Sequence, residues 1–210
     1  MNIDSYTQYK GDDKDIKYGL FGTVNSSWRT RFIKYFEENN IPYFNPNKKE
    51  WKPEDALEEA KNLDSNETLL FSILDNEYGI ASVFEVLIAA ENRNNTDKYV
   101  SVFIDKLSNF YNSTPEEDQK IIKGINNAEK ILKAHSKYNK DLALEQIEFL
   151  SSFKNKFSKK EKNVVNLLNE LRGNLIEKLN KNYNSKNIII VDSLDKMFDY
   201  VELKNYNFKL

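Results

Sequence analysis

Three polar side chains stand where an apolar run gives way to a helix: Asp75, Ser82 and Glu85, in the stretch LLFSILDNEYGIASVFEVLIAAENR from Leu69 to Arg93. Asp75 ends the apolar run Leu69–Leu74, and Ser82 and Glu85, three apart, share one helical face. A carboxylate so placed could act as a nucleophile on an anomeric carbon, dividing one hard displacement into two easier ones and leaving to water or a second acceptor. Glu85 is surrounded by Val83, Phe84, Val86, Leu87 and Ile88. It therefore either points into a cleft at the strand's carboxyl end, where open α/β sheets bind ligands, or takes the one polar stripe of a core helix. The structural alternative for S-x-x-E is a capping box at a helix start. Against it, Ile80 and Ala81 already read as helical.

Other candidates are more ambiguous. In YGLFGTVNSSWR, Gly22 and Thr23 lie where a first strand meets a helix N-terminus, whose backbone N–H groups can hold a polar or anionic ligand. An ordinary turn with a Ser cap explains the same residues, and the loop is neither a GxGxxG nor a Walker sequence. Trp28 and Arg29 either pack and pair or border a cleft. Asn45-Pro46 follows a second strand, and Pro46 biases Asn45 toward extended backbone that would turn its amide to the sheet's carboxyl edge; Trp51 lies just beyond. Glu58 and Glu59 read as a solvated helix face, His135 as a surface residue, and the lysines from Lys154 to Lys162 as a solvated turn between helices.

These residues need elements to position them. Apolar segments at Ile16–Phe21, Ile41–Phe44, Thr68–Leu74 and Tyr99–Ile104 alternate with helical patterns over about Trp28–Asn39, from Pro53 through Leu63, and over about Ile80–Asn92. Such alternation argues for an α/β fold: a small Rossmann-like (flavodoxin-like) parallel sheet with helices on both faces. From Thr114 to about Asn182 the pattern is helical throughout, with Ile121, Ile122, Ile125 and Leu132 marking one segment, Leu142, Leu144, Ile147 and Leu150 a second, and Val164, Leu168, Leu171, Leu175 and Leu179 a third. A strand at Asn187–Val191 and a helix at Leu194–Val201 follow. The expected organisation is a charged, mobile leader over 1–15, a catalytic domain over 16–113 and 183–210, and a helical insertion over 114–182 before the last strand. The third stripe should be buried against the sheet domain or a second copy of the chain, and the expectation is a homo-oligomer.

Composition narrows the function classes. The 210 residues are 40% hydrophobic and 13% aromatic, enough for a globular core beside 30% charged residues. A net charge of −2 argues against a broadly basic nucleic-acid binder. The absence of cysteine excludes disulfides and thiolate chemistry, and one histidine without an HExxH pattern argues against a zinc centre. With no apolar leader and no run of membrane-spanning length, the expectation is a soluble cytoplasmic protein.

Taken in order, GLFGTVNSSWR, FNPNKKEW, EEAKNLDSNETLLFSI and GIASVFEVLIAA resemble the nucleoside 2-deoxyribosyltransferase-like family over about Tyr18 to Ala90. The resemblance implies that Glu85, closing S-x-x-E, is the nucleophile. It implies an acidic partner at Glu59, on the helix before the third strand, and a base and sugar pocket bordered by Trp28, Asn45 and Asp75. Two departures stand out: Glu85-Val86-Leu87 replaces the family's usual Glu-Leu-Gly, and the helical insertion is not part of the minimal domain. The expected activity is transfer of a deoxyribosyl group between bases of 2′-deoxynucleosides through a covalent glutamyl intermediate, with Glu85, Asp75 and Glu59 catalytic, Gly22, Thr23, Trp28, Arg29, Asn45 and Ser82 binding substrate, and no metal or organic cofactor. An N-hydrolase, in which water is the acceptor and Ser82 or the Gly22 loop holds a 5′-phosphate, is the alternative within enzymes. A non-catalytic nucleotide-binding or interaction module is the alternative outside them.

Overall fold

A computed structural model describes the chain except residues 1–2, 12–15, 25, 51, 53, 108–113, 137–139, 160–162, 184–185 and 208–210. Trp51 and Pro53 fall outside the described residues, as do the side chains of Ala56, His135 and Leu142.

Five apolar segments form strands β1 (Tyr18–Gly22), β2 (Tyr43–Phe44), β3 (Thr68–Ile73), β4 (Tyr99–Ile104) and β5 (Ile188–Val191), in one all-parallel sheet of order β2-β1-β3-β4-β5. Each crossover carries helical sequence because parallel neighbours cannot be joined by a tight turn. All six residues of β3 are buried, so both faces of this central strand are covered, and its unbroken apolar run follows from that. The β1–β3 register pairs Tyr18 with Thr68 and Gly22 with Ser72; that of β4 and β5 pairs Val100 with Ile188. Strands β1 and β2 begin two residues later than the sequence pattern suggests, and β2 retains only its last two residues. The fold is the small Rossmann-like or flavodoxin-like α/β arrangement, whose strand order reverses between β1 and β3.

The helices are α1 (Trp28–Glu38), α2 (Asp55–Ser65), α3 (Ile80–Arg93), α4 (Pro115–His135), α5 (Lys140–Ser158), α6 (Val164–Asn182) and α7 (Leu194–Asn207). The chain divides into two compact units. The first holds residues 1–72, 89–104 and 183–210; the second holds 73–88 and 105–182. The second unit is therefore larger than the 114–182 insertion expected from sequence, because it includes the loop out of β3 and the first half of α3.

In the first unit α1 and α7 share an aromatic cluster: Phe32 and Tyr35 meet Phe198 edge-on at 5.4 Å. The leader departs from expectation. Asn45 Nδ2 donates to the carbonyls of Ser5 and Thr7 at 3.0 Å, Asn47 Nδ2 donates to Ser5 O, and Gln8 Nε2 donates to Asn47 O. Residues 4–9 are thus held along the exit of β2, because buried amide groups there would otherwise lack partners.

In the second unit Leu168, Leu171, Leu175 and Leu179 are all buried within the single chain, as are Ile121, Ile125, Leu132 and Leu150, whereas Ile122 and Leu144 are exposed. These four leucines of the third stripe are therefore covered without a second copy of the chain, while Val164 is half-buried. Gly124 of α4 lets that helix approach Ile80, to which a Cβ would come within 3.2 Å. Lys154 and Lys156 of the expected basic turn lie instead in α5, pairing with Glu129 at 2.7 Å and with Glu170 at 2.5 Å; Lys159 is in the turn that follows, and Lys160 and Lys162 fall outside the described residues.

Candidate active site

The β1–α1 loop is built around its glycine. Gly22 has φ +110°, and a Cβ there would lie inside the van der Waals radius of the Ser72 carbonyl oxygen, so only glycine lets β1 leave the sheet this close to β3. Thr23 then turns back on the same carbonyl, donating from both N and Oγ1 to Ser72 O at 2.9 and 3.2 Å. The Arg29 guanidinium enters from α1 beneath the loop and donates to Leu20 O at 3.0 Å, Gly22 O at 3.1 Å and Thr23 O at 2.6 Å. It stacks 4.6 Å from the ring of Trp28, whose Nε1 also donates to Thr23 O. The structure thus brings Gly22, Thr23, Trp28 and Arg29 together. Arg29 is 0% exposed, however, and Trp28 is buried, so both shape the loop from within. Its Nε, Nη1 and Nη2 each reach a backbone carbonyl, so Arg29 clamps the loop.

Asn45 is likewise 0% exposed, with its amide directed at the leader and its Oδ1 accepting from Asn47 N. Glu59 lies half-buried on α2, and its neighbour Glu58 pairs with Lys48 at 2.6 Å.

The remaining three candidates belong to the second unit. Gly79, at φ +64°, closes the loop after β3, and its carbonyl accepts from Val83 N as the first bond of α3. Ile80 is thus the first residue of the helix and Ser82 the third. A capping box requires the serine to precede the helix, so that reading of S-x-x-E does not hold. Ser82 is buried on the first turn. Glu85, on the second turn, is half-buried, whereas Val83, Phe84, Val86, Leu87, Ile88, Ala89 and Ala90 are all buried.

Arg172, which the sequence reading passed over, organises the loop carrying Asp75. It is 2% exposed on α6, and its Nη2 donates to Leu74 O at 3.0 Å, Tyr78 O at 3.4 Å and Glu77 O, while Nη1 donates to Asp105 O at 2.6 Å. Burial pushes the guanidinium pKa down to about 10, opposed by the Asp105 and Asp75 carboxylates. One turn earlier, Asn169 accepts from Leu107 N at 2.8 Å and donates to Leu107 O. A signal was present: Arg172 is four residues after Leu168 and three before Leu175, a charged residue inside an apolar stripe. So was a second. The chain has four arginines in all, and Arg29, Arg93 and Arg172 are buried. Arg29 and Arg172 each reach several carbonyls, a geometry that suits a planar fork and not a lysine, while Arg93 donates to Asn66 O.

Among the described residues no cluster of three or more acidic or histidine side chains could hold a metal, and no helix is long and apolar enough to cross a membrane. Grooves of about 640 Å³ beside Tyr35, Asp199 and Leu203, and about 420 Å³ beside Ser151 and Lys159, include none of the nine candidate residues. No family model, curated protein or solved structure matches the chain.

Proposed function

We propose that the protein is an N-glycosidic-bond enzyme acting on 2′-deoxynucleosides, with Glu85 as nucleophile. The observation that carries this reading is the position of Glu85: the half-exposed carboxylate in a run of buried apolar residues, on the helix that follows the β3 loop of a β2-β1-β3-β4-β5 sheet. A carboxylate placed there for solubility would be expected on an otherwise polar face, and loss of the capping-box explanation strengthens the case.

In the reaction, a Glu85 oxygen forms a bond to C1′ while the C1′–N bond breaks. The electron pair of that bond goes to the base, which takes a proton from an acid, for which Asp75 on the loop before α3 is the candidate. The glutamyl ester is then attacked at C1′ by a ring nitrogen of an acceptor base, which loses its proton, and the Glu85 carboxylate is released. Glu59 remains a candidate for orienting the sugar. Ser82, on the first turn of the same helix as Glu85, is proposed to influence binding.

The test is incubation with a panel of deoxynucleosides and their monophosphates, with and without an acceptor base, followed by chromatography. Base exchange is expected. Free deoxyribose would assign a hydrolase, and binding without turnover a non-catalytic module. Folded Glu85→Gln and Glu85→Ala should lose turnover by several orders of magnitude; near-normal activity in either would remove the nucleophile.

A further inference from the structure

The three helices of the second unit have no role in the reaction as described above. Yet α6 sends two polar side chains, Asn169 and Arg172, onto the loops that leave β3 and β4. Arg172 bridges them: the same guanidinium holds the carbonyls of Leu74, Glu77 and Tyr78 on one and of Asp105 on the other. Asn169 fixes the second loop two residues further on through both the N–H and the carbonyl of Leu107. Asp75 lies between the carbonyls of Leu74 and Glu77 that Arg172 holds, and its carboxylate is among the charges that act on the guanidinium.

We propose that Arg172 is a positioning residue for the glycosyl reaction: the helical segment is a built-in brace whose buried arginine fixes the β3–α3 loop and thereby the Asp75 carboxylate. The proposal rests on the N-glycosidic reading. Its physical basis is the multiplicity of bonds from one group. A loop of Asp-Asn-Glu-Tyr-Gly has little apolar side chain to bury, so its conformation depends on where its carbonyls find donors. A single planar guanidinium aimed at four carbonyls specifies one arrangement, which lysine, a point donor on a flexible stem, cannot reproduce. Gly79 completes the device, because its left-handed backbone ends the loop and opens α3.

A double-mutant cycle tests this role. Arg172→Lys keeps the charge and most of the volume, and Arg172→Met removes the charge; the variant used is whichever gives a cooperative melt and a native-like far-UV spectrum, with Asn169→Ala as the third choice. With the deoxynucleoside the wild type turns over best, Arg172→Lys should lower kcat about 10–100-fold, the scale of a misplaced catalytic group, while KM changes by only a few-fold. In an Asp75→Asn background the same substitution should cost less than about 3-fold, because the group it positions is already gone. Unchanged kcat in a folded Arg172 variant, or losses that simply multiply with those of Asp75→Asn, would overturn the role while leaving the reaction intact. A wild-type chain that cleaves no member of the panel defeats the glycosyl reading and this role with it.

Discussion

The loops that follow β1 and β3 are held by the same chemistry from opposite distances along the chain. In both, a buried arginine donates to backbone carbonyls and a glycine with positive φ makes the bend. Arg29 reaches carbonyls six to nine residues before it, from the helix that the loop itself leads into. Arg172 reaches carbonyls 67 to 98 residues before it, from a helix separated from the β3–α3 loop by α3, β4, α4 and α5. The first loop is held by its own helix and by the Ser72 carbonyl of β3, whereas the second is held from α6 of the helical unit. A local clamp is a property of a motif; a remote one makes a whole helical unit a determinant of one loop.

The glycines should separate the two loops most strongly. Gly22→Ala forces a side chain into a positive-φ position against the Ser72 carbonyl, which is main chain and cannot move aside, so we expect a loss of about 3–5 kcal/mol in urea unfolding from strain and overpacking together. Gly79→Ala meets the methyl end of Ile73 at 2.6 Å in a left-handed conformation and should cost only about 1–2 kcal/mol. Equal losses would mean that the β3 loop tolerates substitution no better than the β1 loop.

Between these lies Arg29→Met, which strands three buried carbonyl partners and should cost about 2–4 kcal/mol by the same measurement. Amide hydrogen exchange then sharpens the contrast. Faster exchange should stay near residues 20–29 in Arg29→Met but extend through 74–79 and 105–107 in a folded Arg172 variant; confinement of the latter to α6 would make the remote clamp superfluous. The smallest effect is expected where an arginine pairs at the surface. Asp195→Asn removes the exposed partner of Arg31 and should change stability by less than about 0.5 kcal/mol, since solvent screens the pair.

Much of the architecture was legible in the residues alone. Apolar runs and period-3.6 patterns identify all twelve elements in order, because burial of a strand on both faces of a sheet, or of a helix on one face, imposes those patterns on whatever chain forms them. At the candidate site, the helical setting of Ser82 was readable from Ile80 and Ala81, and its consequence for the capping box followed once α3 was seen to begin at Ile80. The engagement of Asn45 by the leader was not readable, since an amide's partners some forty residues away leave no local pattern.

What the sequence by itself determined is therefore the local part: strands, helices, the glycine bends, the Trp28–Arg29 start of α1, and a carboxylate at position 85 among apolar neighbours. The tertiary structure alone decided the strand order, the burial of Arg29 and Asn45, the covering of the Leu168–Leu179 stripe within one chain, and the reach of Arg172. Periodicity reports which face of an element is buried, because that depends on residues a few positions apart. It cannot report which donors and carbonyls meet, because a hydrogen bond across 98 residues depends on the path of the whole chain between them.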